Sequence, residues 1–168
     1  MTKKYKIIIH IFFSLLLLQS CISTKGLFNG RIARPDARIN IIRNNTHSGE
    51  WMTGELSVNY SYQTSPHNNL NLDGYVSLSG RIINSYPKIR RMNLRVSFLD
   101  SKGQVLSTEH VYMPYSVNSI SPQKLKFKSN FILPERSAAF CFSYSGEFRG
   151  DSRDISDTLV VGENPFVQ

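Results

Sequence analysis

The sequence predicts an all-β protein, a sandwich of two antiparallel sheets. Three observations predict it. Apolar and polar residues alternate through four separate segments, as they do in strands with one face in a core and one in water. Turns bearing glycine or proline fall between these segments, at the spacing of all-β folds. After the N-terminal segment, no stretch keeps a helical period for three turns, which argues against bundles and βαβ units. With 168 residues, one domain is expected, large enough for a core without disulfide staples.

In chain order, residues 1–20 read as an address. Lys3, Lys4 and Lys6 precede an apolar run from Ile7 to Leu18, interrupted by His10 and Ser14. A charged start, an apolar middle and a small residue before a cut form a secretory signal. The run, about a dozen residues, is short of the ~20 that span a bilayer. It ends in Leu18-Gln19-Ser20-Cys21, which resembles the lipobox of bacterial lipoproteins. The resemblance implies a diacylglycerol on the Cys21 sulfur, loss of residues 1–20 and Cys21 as first mature residue. Gln19 departs from the commonest residue at its place. Acyl chains at ~0.8 kcal/mol per buried CH₂ would anchor such a protein stably. Ile22 stands where an Asp tends to retain lipoproteins at the inner membrane. For a Gram-negative host the resemblance therefore implies the cell envelope, at the outer membrane and facing the periplasm.

Residues 21–36 then read as the lipidated cysteine and a tether, punctuated by Gly26, Gly30 and Pro35. Residues 37–168 are left for the sandwich. A short first strand is expected around Ile39 to Ile42. Leu56, Val58, Tyr60 and Tyr62 alternate with Glu55, Ser57, Asn59 and Ser61. "GYVSLSGRII" continues the pattern through Val76, Leu78, Gly80 and Ile82. Met92, Leu94, Val96 and Phe98 oppose Arg91, Asn93, Arg95 and Ser97. Leu125, Phe127, Ser129 and Phe131 oppose Lys124, Lys126, Lys128 and Asn130. Asp100 to Gly103 reads as a type I turn closed by glycine. Pro87 and Pro122 fall between strands, where a missing N–H costs little. Strand centres near residues 40, 58, 79, 95, 108, 128, 142 and 159 give about seven or eight strands. An immunoglobulin-like sandwich is the first expectation and a small closed β-barrel the alternative. "GRIINSYPKIRRMNLRVSFLDSKGQVL" followed by "LKFKSNFILP" resembles the FxLYD-type modules of secreted and envelope proteins. Gly80, Asn84, Phe98, Asp100, Gly103 and Phe127 fill the places of that pattern. Its Tyr is absent, "SFLDS" standing there instead. The resemblance implies an immunoglobulin-like fold and names no ligand.

The residues of chemistry are scattered. There is no G-x-S-x-G, and "GDSRD" at 150–154 reads as a polar turn. His47, His67 and His110 lack metal-ligand spacing, with His47 and His67 placed in polar loops. The glycines form no phosphate loop. Glu109, Glu135 and Glu147 fall in different segments. No catalytic residue, metal or cofactor is therefore assigned. Cys141 lies in the apolar "AAFCFSY" and is expected buried and inert, or paired with another chain.

Two patterns remain. Net charge is +8, with three of the positives in the first six residues. Lys124, Lys126 and Lys128 share one strand face, and Arg91 and Arg95 share another, with Arg90 in the preceding turn. These five are the candidates for meeting an anionic surface; the plain alternative is solubility and protection of a sheet edge. Phe140, Phe142 and Tyr144, Tyr60 and Tyr62, and Tyr112 and Tyr115 are expected as core, or as a binding platform if exposed. The expected function is a membrane-anchored envelope lipoprotein whose non-catalytic sandwich serves as a binding or assembly module. Alternatives are recognition of an anionic glycan or lipid through the basic face, and a hydrolase with a loop-built site using His67 or His110. The expected partners are the membrane, through the N-terminal lipid, and an envelope protein or anionic glycan or lipid. Nucleic acid is not expected, and the oligomeric state is left open.

Overall fold

Each alternating segment supplies a strand, and the strands divide between two antiparallel sheets. The structure is a computed structural model and describes residues 28–111, 113, 124–150 and 158–167. Residues 1–20, Cys21, Tyr112, Tyr115, Pro122 and residues 151–154 lie outside the described residues. The elements are β1 (Ile39–Asn40), β2 (Thr46–Met52), β3 (Leu56–Thr64), β4 (Asn69–Leu78), α1 (Gly80–Ser85), β5 (Lys88–Leu99), β6 (Val105–Val111), β7 (Leu125–Ile132), β8 (Ala139–Arg149) and β9 (Thr158–Glu163). One sheet has the order β2-β3-β4-β7. The other has β8-β5-β6, with β1 and β9 both paired to β8. Two open sheets rule out the closed barrel. The chain changes sheet between β1 and β2, between β4 and β5, between β6 and β7, and between β7 and β8.

Three expectations need correction. "GYVSLSGRII" is not one strand: β4 stops at Leu78 and Gly80–Ser85 is helical. Ser79 caps this turn, its Oγ accepting from Ile82 N–H at 3.5 Å, and the helix carries the chain from one sheet to the other. Ile82 is buried all the same; a strand and a single helical turn both place it inward. The strand expected near residue 79 is therefore centred earlier, within Asn69–Leu78. Next, β2 is a strand where a polar loop was expected, and His47 lies in it. Last, part of the segment expected as a tether belongs to the body. From Phe28 onward the chain is a strap docked on the body. Gly30 N–H donates to Val105 C=O, Ala33 N–H to Gly103 C=O and Arg34 N–H to Pro165 C=O.

The main core lies between the sheets. Phe140, Phe142 and Tyr144 project from β8 toward Trp51 of β2 and Tyr60 and Tyr62 of β3. Ring centroids lie 5.3 Å apart for Tyr60–Phe142, 5.4 Å for Tyr62–Phe140 and 5.7 Å for Trp51–Phe142. Each tilted or edge-to-face pair contributes about 0.5–1.5 kcal/mol beyond area burial. One glycine makes room for this stack and another for the close approach of β3 to β4. A Cβ on Gly49 would strike the Tyr60 hydroxyl, and one on Gly74 would strike the Asn59 carbonyl. Tyr62 also ties down the β1–β2 connection, its hydroxyl donating to Asn40 C=O at 2.8 Å and accepting from Ile42 N–H at 3.1 Å.

A second, smaller core lies on the outer side of the β8-β5-β6 sheet. Ala33, Ala37 and Phe28 of the strap, with Phe166, cover Leu99, Val105, Ala139 and Cys141. Both faces of the sheet are buried here, so β5 ends in the continuous run Val96 to Leu99 and β8 begins with Ala139 to Tyr144, all buried. The buried hydroxyls of Ser97 and Thr108 satisfy each other at 2.8 Å. The β5–β6 turn follows the sequence expectation. Gly103 has φ +84°, and the Asp100 carboxylate accepts from Lys102 N–H and Gln104 N–H, both at 2.9 Å.

Phe142→Ala is expected to cost about 3–5 kcal/mol in denaturant unfolding, the range for deleting a buried aromatic. Val160→Ala, on a side chain 75% exposed, should stay within about 0.5 kcal/mol. Equal losses at the two positions would contradict the packing described.

Candidate functional site

The five basic candidates do not form one surface. Lys124, Lys126 and Lys128 stand exposed on the outer face of the β2-β3-β4-β7 sheet, along its edge strand. Arg91 and Arg95 project from β5 on the outer face of the other sheet, where their neighbours Met92, Leu94 and Val96 enter the core. The sandwich separates the two sets. Period-two alternation shows which residues share a strand face, and both groupings hold at that level. It does not show which sheet a strand joins.

Each basic set is also partly neutralised. Lys128 is registered opposite Asp73, and Lys126 opposite Tyr75. The Lys124 ammonium lies 4.0 Å from the centre of the Tyr75 ring, an attraction worth about 0.5–1 kcal/mol at an exposed site. Arg91 is registered opposite Glu147. Arg90, placed by the structure within β5 beside a bulge, pairs with that same Glu147 at 2.8 Å. Arg95 faces His110 on one neighbour and Ser143 on the other.

The aromatic candidates within the described residues belong to the interior. Phe140, Phe142, Tyr144 and Tyr62 are buried, and Tyr60 packs against the same core. The platform alternative therefore fails for them. Burial pushes the Tyr144 phenol up to about 12, and its hydroxyl donates to Glu55 Oε2 at 3.1 Å. The histidines sit on three separate elements. His47 is in β2, its ring 5.5 Å from that of Tyr62. His67 is exposed in the β3–β4 turn, and His110 is exposed on β6. Among the described residues no three His, Cys, Asp or Glu side chains gather as metal ligands.

What the sequence did not foreshadow is a groove of about 370 Å³ on the open side of the sandwich. It runs beside β2, from Glu50 to Gly54, and is bounded across by Arg34, Asp36 and Ala37 of the strap and by Glu163 of β9. Its apolar part is Trp51, half-buried on Phe142 and Tyr144, and Met52, 70% exposed. Its polar part holds the Asp36 and Glu163 carboxylates against the Arg34 guanidinium, which is bound to Glu163 at 2.8 Å and lies 3.8 Å from Asp36, while Glu50 turns to the outer face and accepts from Asn59 Nδ2 at 3.0 Å. Residues 34, 51 and 163 meet only through the tertiary fold, so no local motif could have announced them. Comparison with protein-family models, with curated proteins and with solved structures returns no match.

Cys141 is the free cysteine of the described residues and is buried. Burial, the largest cause, holds its thiol at about 12, above the usual range. The sign follows from linkage. The unfolded thiol ionises near pH 8.5 while the folded one does not, so its contribution is complete below that pH and is lost as pH rises toward about 12. Two measurements check this. The Cys141-bearing peptide should stay unalkylated by iodoacetamide at pH 8 until the protein is unfolded. Cys141→Ala should flatten the alkaline side of the stability profile. Ready alkylation of the native protein would contradict it.

Proposed function

We propose that the protein is a membrane-anchored envelope lipoprotein whose β-sandwich is a non-catalytic binding or assembly module. The observation that carries this reading is Leu18-Gln19-Ser20-Cys21 at the end of the short apolar run. The fold fits it. Only residues 22–27 separate Cys21 from the docked strap, a span of at most about 25 Å. With Cys21 in the bilayer, the strap side of the body sits within that reach of the headgroups. The strap turns exposed Arg31 and the half-exposed Ile32 outward, beside Val167, which is 54% exposed. Among the described residues no helix is long and apolar enough to cross a membrane, so in this reading the lipid supplies the attachment.

The test is the N-terminus itself. In cells fed an alkyne-tagged palmitate, the wild-type chain should take up label, float with membranes and begin at a modified Cys21. Cys21→Ser should carry no label and leave the membrane fraction. A wild-type chain with an unmodified N-terminus and free in the cytosol would refute the anchor.

A second reading, contact with an anionic glycan or lipid, is favoured by one observation. Lys124, Lys126 and Lys128 all stand exposed on a sheet face that no described element covers. Changing the three to Gln should weaken sedimentation with anionic phospholipid vesicles at low salt, and raised salt should mimic the change. Equal sedimentation of both proteins would remove this reading. The arginines of β5 are not part of it, since they face the other way.

A further inference from the structure

We infer that the free edge of β2 receives an extended segment of a partner protein as an added strand, with cationic side chains of that segment directed into the acidic groove beside it. This rests on the reading of the sandwich as a binding module and gives that module a mode of binding.

The edge itself is the first support. Among the described residues β2 is terminal in its sheet, and in an antiparallel strand every second residue turns its N–H and C=O away from its one partner. Seven residues long, "THSGEWM" contains no Lys, Arg or Pro. Unprotected edges of this kind are what natural sheets avoid unless something pairs with them. Three of the other edges are blunted, whereas β9, which also ends its sheet, has no Lys, Arg or Pro either but is one residue shorter. β7 carries Lys126 and Lys128 with Lys124 just before it. β1 is only two residues long. The start of β6 is already bonded to the strap, where Val105 N–H donates to Arg31 C=O at 2.8 Å and Val105 C=O accepts from Gly30 N–H at 3.2 Å.

Space and chemistry beside the edge supply the rest. The groove lies along the second half of β2, so an added strand has somewhere to place its inward side chains. Trp51 offers apolar contact there, and the exposed Met52 offers it on the opposite face of the edge. In strand addition, main-chain hydrogen bonds give affinity and the flanking pockets give specificity. Asp36 and Glu163 outnumber Arg34 in the groove, and Glu50 adds a carboxylate on the outer side of the same edge, so the complementary segment bears Lys or Arg. The charge also argues against a second copy as the occupant. Pairing β2 with itself about Gly49, its middle residue, would put both Glu50 carboxylates on one face as near diagonal neighbours, and like charges in such pairs destabilise.

The full chain in detergent micelles is panned against displayed short random peptides, and amide exchange is followed with the enriched peptides bound. Enriched peptides should carry Lys or Arg and slow exchange across residues 46–52 by about tenfold or more. Glu50→Lys should weaken their binding about tenfold or more while leaving far-UV circular dichroism unchanged. Asp36→Asn, remote from β2 in sequence, should weaken it in the same direction by less. The inference is overturned by no enrichment, by enriched peptides without positive charge, or by binding that leaves residues 46–52 unprotected. Self-association that protects residues 46–52 before any peptide is added overturns it as well. Mass analysis of Cys21 in the same preparation reports separately on the anchor, so loss of either claim leaves the other standing.

Discussion

The contact between the β8 aromatics and the tyrosines and tryptophan of β2 and β3 is the constraint on which the rest of this molecule depends. Antiparallel sheets of this size do not hold together through backbone hydrogen bonds, which run within each sheet and never between them. The sheets are joined by side chains, and the largest fully buried ones include Phe98, Phe140, Phe142 and Phe148. Phe140 alone meets Tyr60, Tyr62 and Phe142, at 6.0, 5.4 and 5.6 Å. A stack this wide demands clearance, which Gly49 provides beside the Tyr60 ring, while Gly74 admits the Asn59 carbonyl of the neighbouring strand. The absent side chains of those glycines are as much part of the core as the rings are.

The stack also determines what the surface can offer. Filling the interior with aromatics leaves none of the described ones as an exposed ladder, apart from Trp51 at the open side and Tyr75 under Lys124. The strap closes the outer face of the β8-β5-β6 sheet at one end and buries Cys141 there. That same strap, with β9, forms the far wall of the groove along β2. An N-terminal segment that approaches the body from a lipid anchor would thus contribute to the core, to the burial of a thiol and to the rim of the proposed binding edge. Lipid attachment and strand addition are proposals, but both draw on the position of this one segment.

Much of the architecture was legible because period two is a strong signal where inward residues are large and apolar. β3, β5, β7 and β8 show it through Leu56 to Tyr62, Met92 to Phe98, Leu125 to Phe131 and Phe140 to Tyr144. β2 escaped because its inward positions are His47, Gly49 and Trp51; a glycine that makes way for Tyr60 reads as a loop residue until Tyr60 is placed above it. The helix escaped because one turn is too short to show a period, and Ile82 satisfied the strand pattern by coincidence. The strap escaped because small residues, Ala33 and Ala37, and main-chain hydrogen bonds dock it, and neither leaves a periodic trace. For the candidate site, the shared face of the lysines was readable and its separation from the arginines was not. Sheet membership is decided by long-range pairing such as Lys88 with Arg149 and Asn69 with Ile132.

The central physical claim is that the inter-sheet aromatic stack makes both sheets one cooperative unit. Native-state hydrogen exchange on the full chain, followed residue by residue against denaturant, tests it most directly. The central strands β3 and β4 of one sheet and β5 and β8 of the other should open only together, with their slowest amides converging on one free energy equal to that of global unfolding. If the amides of β3 and β4 exchanged through an opening clearly cheaper than that of β5 and β8, the sheets would be separable and the claim would fail.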